Sequence, residues 1–175
     1  MLKNFDKVWT SADPHFAHSN IIKYCDRPFK TAHGMDKTMI DNWNAIVGPD
    51  DLSYILGDFS MSAHKDFLAD YVKKLNGNKI LVLGNHDRLR PFEYLDIGFL
   101  SVHTSLVLEN ENVFMIHDPA AMRLAMEAGF TCLHGHVHNV YKKSNPGTLN
   151  VGVDVHDYKP ILLSEAIKQA NEIAV

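Results

Sequence analysis

The chain has 175 residues, 46% of them hydrophobic and 22% charged, which is ordinary for a globular protein that builds its own core. A net charge of -4 gives no general attraction to nucleic acid or an anionic membrane and leaves nucleic acid only the route of a local basic patch. Two cysteines, Cys25 and Cys132, are too few for a disulfide framework or a zinc knuckle, and no apolar run approaches the ~20 residues of a membrane helix, so the expectation is a cytoplasmic protein with no membrane partner. The unusual count is eleven histidines, several beside Asp, Asn or Gly at the ends of apolar segments.

The first apolar run, residues 8–12, is β-branched and aromatic and predicts a strand. It stops at Asp13-Pro14-His15, because proline cannot continue a sheet ladder. Residues 16–34 are irregular and predict a long loop with room for one short helix; loops of that length in a compact domain are commonly functional. Met35, Met39, Ile40, Trp43, Ile46 and Val47 recur at helical spacing, ended by Gly48-Pro49. Residues 52–56 predict a second strand ending in Gly57-Asp58. Residues 67–75 predict a helix, and the apolar run 80–83 breaks into Gly84-Asn85-His86-Asp87. Short strands follow at 99–102, 105–108 and 113–116, the last ending in His117-Asp118-Pro119. A helix over 120–129 leads to a strand at 130–133 that ends in His134-Gly135-His136-Val137-His138. Strands at 149–153 and 161–163, and a closing helix capped by Ser164 and running to Ile173, complete one domain of mixed α and β over residues 1–175.

Five strand ends carry side chains that bind metals or move protons: Asp13 and His15, Asp58, Asn85 and His86, His117, and His136 and His138. Ligand sites form beyond the carboxyl ends of strands in sheets of this kind. Setting His86 aside, the inventory is two carboxylates, one amide and four imidazoles, with no thiolate. Such donors suit manganese, iron or zinc rather than copper or an iron–sulfur cluster. Seven groups exceed one tetrahedral zinc but fit two ions sharing a bridging carboxylate, for which Asp58, midway in the order, is the choice. Two ions about 3.5–4 Å apart can activate a water for in-line attack on phosphorus as a bridging hydroxide.

Asp13-X-His15, Gly57-Asp58, Gly84-Asn85-His86-Asp87, His117 and Gly135-His136-Val137-His138, in this order, resemble the calcineurin-like metallophosphoesterase signature. Asp13-Pro14-His15-Phe16 with His18 and Asn20, Arg27-Pro28-Phe29, Asn42-Trp43-Asn44 and Asn150 to Asp154 with Tyr158-Lys159-Pro160 are similar to a small stand-alone branch in bacteria and phages. The resemblance implies an α/β (α+β) fold, a four-layer αββα sandwich of two mixed sheets flanked by helices. It implies that Asp13, His15, Asp58 and His138 hold one divalent ion and that Asp58, Asn85, His117 and His136 hold the other. Manganese is the favoured metal, with iron, zinc, nickel or cobalt as alternatives. His86 would be the acid at the leaving group, with Asp87 orienting it.

For the rest of the substrate, Arg27 and Arg88 are candidate phosphate contacts because a guanidinium grips such oxygens as a fork, Phe29 is a candidate stacking surface for a base, and Asn20 is a candidate polar contact. The expected activity is hydrolysis of a phosphomonoester or phosphodiester, a small nucleotide-type phosphodiester being favoured. A non-catalytic scaffold on the same fold that binds a protein partner is one alternative, and a nuclease acting on nucleic-acid ends is another. Asp118 departs from the His-Gly that many relatives carry at the fifth motif, and His134 is an additional histidine.

Overall fold

A computed structural model describes residues 7–172. Five strands form a first sheet in the order β4-β3-β2-β1-β9, and four form a second in the order β5-β6-β7-β8. In the first, β1 (Val8–Ser11), β2 (Leu52–Leu56), β3 (Asn78–Val82) and β4 (Ser101–His103) run parallel, and β9 (Ile161–Leu162) pairs antiparallel to β1. In the second, β6 (Val113–Ile116), β7 (Thr131–His134) and β8 (Thr148–Asn150) run parallel, with β5 (Ser105–Leu108) antiparallel on β6.

The pattern of β2 shows how the layers stack. All five of its residues are buried, as expected of a central strand covered on both faces. Ile55 faces a core built with Met35, Met39, Trp43, Leu68 and Val72, whereas Leu52, Tyr54 and Leu56 face one built with Val113, Met115, Leu133 and Leu149. Helices α2 (Ala32–Ile46) and α3 (Lys65–Lys74) therefore cover one face of the first sheet, and the second sheet covers the other. This is the αββα sandwich that the resemblance implied. Helix α6 (Leu163–Asn171) buries Leu163, Ala166 and Ala170 in the intersheet core, and α5 (Arg123–Glu127) leans on β7.

Several boundaries differ from the sequence reading. The short helix for which residues 16–34 left room is there as α1 (Ser19–Tyr24), as expected. Helix α2 starts three residues before Met35 because Thr31 caps it, its hydroxyl accepting from Gly34 N–H. A six-residue helix, α4 (Pro91–Asp96), was not expected; it buries only Tyr94, too little to make a periodic pattern. The expected helix 120–129 is a 3-10 turn at Pro119–Ala121 followed by the short α5. The strand expected over 149–153 ends at Asn150, and a 3-10 turn follows at Val153–Val155. Ser164 is not a cap, since β9 passes straight into α6 with Leu162 in that position. Ile173, where the closing helix was expected to end, lies outside the described residues.

Because seven of these strands run parallel within their sheets, their carboxyl ends gather along two rims. The rims are stitched together: Val153 N–H donates to Ala12 O at 3.0 Å, and Ala12 and Gly152 form a parallel bridge between the sheets.

Candidate metal centre

Beyond their strand ends, β1 and β2 stay paired, with Asp13 N–H bonded to Gly57 O at 3.1 Å and His15 N–H to Asp58 O at 3.0 Å. This pairing delivers Asp13, His15 and Asp58 side by side, all buried. Two glycines allow the loops to close up. A side chain at Gly84 would stand 2.2 Å from Asp58 Oδ1, and one at Gly135 would stand 2.5 Å from Asp13 Oδ2. Asp13, His15, Asp58, His136 and His138 all have left-handed backbone, φ between 47° and 71°. Non-glycine residues adopt that conformation at a cost, and a cluster of such residues marks a site that its surroundings over-determine.

The seven sequence-predicted ligands converge. Donor atoms of Asp13, His15 and His138 lie within 4.8 Å of one another, and so do those of Asp13, Asp58 and His117. Asp58 Oδ2 stands 3.4 Å from His15 Nε2 and 3.4 Å from His117 Nε2, one oxygen facing both halves of the cluster. Asn85 Oδ1 is 3.0 Å from His117 Nε2 and 3.0 Å from His136 Nδ1, which completes the second half.

The tautomers favour coordination. His117 Nδ1 donates to Leu56 O at 2.8 Å, and a carbonyl only accepts, so Nε2 is the nitrogen that faces the centre and becomes the ligand once its proton is lost. His138 Nδ1 donates likewise to Asp154 Oδ2 at 3.0 Å. Asp13 Oδ1 and both ring nitrogens of His15 are buried with no hydrogen-bond partner among the described residues. Orphaned donors and acceptors are rare in folded proteins, and divalent ions would satisfy these.

The charges point the same way. Burial holds the His15 ring neutral, its pKa lowered to about 3. Burial alone would lower His117, but the hydrogen bond and charge of Asp58 and the charge of Asp13 outweigh it and raise its pKa above the ordinary value. Burial would raise Asp58, but the hydrogen bond and charge of His117 and the His86 N–H outweigh it and lower its pKa. His138 is raised because Asp154 outweighs burial. Without ions, protons on His117 and His138 balance the two central carboxylates.

The sequence matches the model of the calcineurin-like phosphoesterase family over residues 6–175. The chain belongs to this family. It resembles an uncharacterised protein of the archaeon Methanocaldococcus jannaschii, 35% identical over 173 residues that cover 93% of this chain and 90% of the relative. It also resembles the gene 66 protein of Mycobacterium phage D29, 29% identical over 95% of this chain and 96% of the relative. Among solved structures, a protein of unknown function from Aquifex aeolicus matches with a TM-score of 0.70 and 27% identity, covering 93% of this chain and 98% of that one.

Within this calcineurin-like chain, several assignments from sequence change. Asp87 does not orient His86. Its Oδ2 accepts from Gly84 N–H at 2.8 Å and Asp58 N–H at 2.9 Å, and its Oδ1 from Phe59 N–H at 3.0 Å, so the carboxylate ties the β2 and β3 loops together. Burial raises its pKa to about 6, with these N–H bonds acting against the rise. Arg27 is not free for phosphate. It is 3% exposed, and all five of its N–H groups are engaged: Nε and Nη2 on the Asp154 carboxylate, Nη2 also on Asp13 O, and Nη1 on Pro14 O and Met35 Sδ. Phe29 is no open stacking face, since it packs edge-on against Tyr158 with ring centroids 4.8 Å apart and leans on the helical core. Asn20 does border the cleft beside the centre. Arg88 is exposed and has no contact that places it at the centre.

Asp154 was missed as a site residue. It follows the apolar run around β8 as Asp13 follows β1, and that position was the available signal. His134, left without a role from sequence, donates through Nδ1 to Gly135 O, 2.8 Å away, inside the loop that carries His136 and His138.

Proposed function

We propose that the protein is a phosphoesterase that works with two divalent ions held by Asp13, His15, Asp58 and His138 and by Asp58, Asn85, His117 and His136. The observation that carries this reading is the single oxygen Asp58 Oδ2, 3.4 Å from an Nε2 in each half of the cluster, the place a bridging ligand takes. The all oxygen and imidazole donor set favours manganese. When bound, such ions supply Lewis acidity to phosphoryl oxygens and lower the pKa of an attacking water.

The chain's own residues do the rest. His86 reaches the cleft with its ring while its N–H holds Asp58 Oδ1 at 2.8 Å. The ring centroids of His86 and His15 are 5.6 Å apart, which sets His86 beside the proposed ligands and suits a donor to the departing oxygen. A small phosphodiester of nucleotide size is the favoured substrate, because the cleft has a volume of about 560 Å³.

The test combines metal analysis with hydrolysis of p-nitrophenyl phosphate and bis(p-nitrophenyl) phosphate by the manganese-loaded protein. Two ions per chain with turnover of either ester is expected, and Asp58→Ala should lose at least one ion and the turnover together. Two bound ions without turnover of any phosphoester would overturn the reading in favour of a non-catalytic scaffold.

A further inference from the structure

The cleft that receives the His86 ring also describes what it is built to hold. Part of its lining is histidine, and the remainder is mostly apolar: Ile21, Tyr24 and Cys25 from α1 and its end, Met61, Val137 and Val140, with the amides of Asn20 and Asn139 beside them. No lysine, arginine, aspartate or glutamate lines it among the described residues. Lys23, the cation nearest in sequence, sits beside Tyr24 on α1 without lining the cleft, and Arg27 has every donor engaged elsewhere. The two most exposed large apolar side chains of the described residues, Val140 at 77% and Tyr24 at 74%, both border this one cleft. Scattered exposed apolar residues are unremarkable, but a pair at the mouth of a pocket beside a reactive centre marks a ligand surface.

The walls are held in place. Asn139 Nδ2 donates to Cys25 O at 2.8 Å, tying the end of α1 to the loop of Val137 and Val140. The His18 ring stands edge-on to Tyr24, centroids 6.3 Å apart. A cleft fixed in this way loses little order when filled.

We propose that this cleft binds a flat, uncharged ring joined to a single phosphoryl group, so that the substrate class is a small phosphoester with an aryl or nucleobase portion and no further phosphate. Tyr24 offers the ring a face, Val140 closes over it, and the amides of Asn20 and Asn139 stand nearby for polar edges. A second phosphate or a nucleic-acid strand would meet no cation here. The inference rests on the phosphoesterase reading for the position of the phosphoryl group, and its test is independent of turnover.

Isothermal titration of the manganese-loaded protein with methylphosphonate and benzylphosphonate, which carry the same charge and differ by one ring, reads the cleft directly. Benzylphosphonate should bind about tenfold more tightly or better, as expected for burying a ring. Tyr24→Ala and Val140→Ser, both at exposed positions, should each erase most of that preference while leaving methylphosphonate and manganese binding unchanged. Cyclohexylmethylphosphonate should bind less well than benzylphosphonate if a flat ring is what fits. Equal binding of the methyl and benzyl compounds, or a preference that survives both substitutions, overturns the inference. Tighter binding of an oligothymidylate than of benzylphosphonate overturns it as well. A benzyl preference without hydrolysis of any ester supports the cleft and overturns the phosphoesterase reading, whereas hydrolysis without the preference does the reverse.

Discussion

His86 follows the candidate ligand Asn85 in the turn after β3, and its main chain and side chain serve different ends. The N–H holds Asp58 Oδ1, and the ring enters the cleft. In His86→Ala the N–H survives, so both ions and the fold should persist while turnover falls by ~10²–10⁴, the range for removing an acid at the leaving group. The loss should be large for an alkyl ester and small for a nitrophenyl ester, whose phenolate departs without a proton. Metal loss in this variant, read by elemental analysis, would place His86 among the ligands instead. The ligand types were legible from sequence because each lies immediately beyond an apolar run. Arg27 and Asp87 misled because deciding partners of each are remote: Asp154 is 127 residues from Arg27, and Asp58 is 29 from Asp87. A charged residue in a loop reads as available to a substrate or a neighbour until the group that already engages it is seen.

Elements act here by presenting ends. The turn after β8 sets Asp154 between Arg27 and His138, and both Arg27 and Asp154 have almost fully buried side chains. Partners behind a ligating histidine commonly carry ~10–100-fold in metal affinity. Asp154→Asn should therefore weaken manganese binding by about that factor, and Arg27→Ala should follow it while also destabilising the fold, since it leaves a buried carboxylate unpaired. Calorimetric metal titration checks both; an effect on substrate affinity alone would return Arg27 to the substrate. At the other end of β3, Lys79 is 5% exposed, its ammonium donating to Leu75 O and Gly77 O at 2.7 Å each, and burial lowers its pKa to about 8. The unfolded chain holds that proton up to about 10.4, so between those values the unfolded state binds more protons and the contribution of Lys79 to stability rises with pH. Against Lys79→Met, denaturant unfolding should show wild type gaining roughly 3 kcal/mol in relative stability from pH 7.5 to pH 10.5. A constant difference would mean an ordinary lysine. Long apolar runs announced β2 and β6, whereas α4 escaped notice because its signals were a capping pair, Arg90 with Glu93, and Pro91 at its start, instead of periodicity.

On the scale of the whole molecule, the candidate ligands divide between the sheets. Asp13, His15, Asp58 and Asn85 come from the first, and His117, His136 and His138 from the second. The order of the motifs along the chain was readable, but their meeting depends on the rims being stitched at Ala12 and Gly152, which no local pattern reports. Since His117 and His138 hold protons above their ordinary range without ions, each must give its proton up to become a ligand. Manganese binding near pH 7 should release protons, and affinity should rise as pH rises through the neutral range and beyond. Titrations in buffers of different ionisation enthalpy would show the release, and identical heats across buffers would contradict it.

The division of ligands between sheets has a consequence for durability. Asp13 and His136 are 123 residues apart in a chain of 175, so an ion held between their loops closes most of the polypeptide into a ring. Cross-links over spans of that size weigh heavily on the unfolded chain, and this one would be reversible. At a free ion concentration a hundred times the dissociation constant it would add about 2.7 kcal/mol to the folded state. A chelator would then act on this protein as a reductant acts on one fastened by disulfides, and the melting temperature would become a gauge of the metal supply around it.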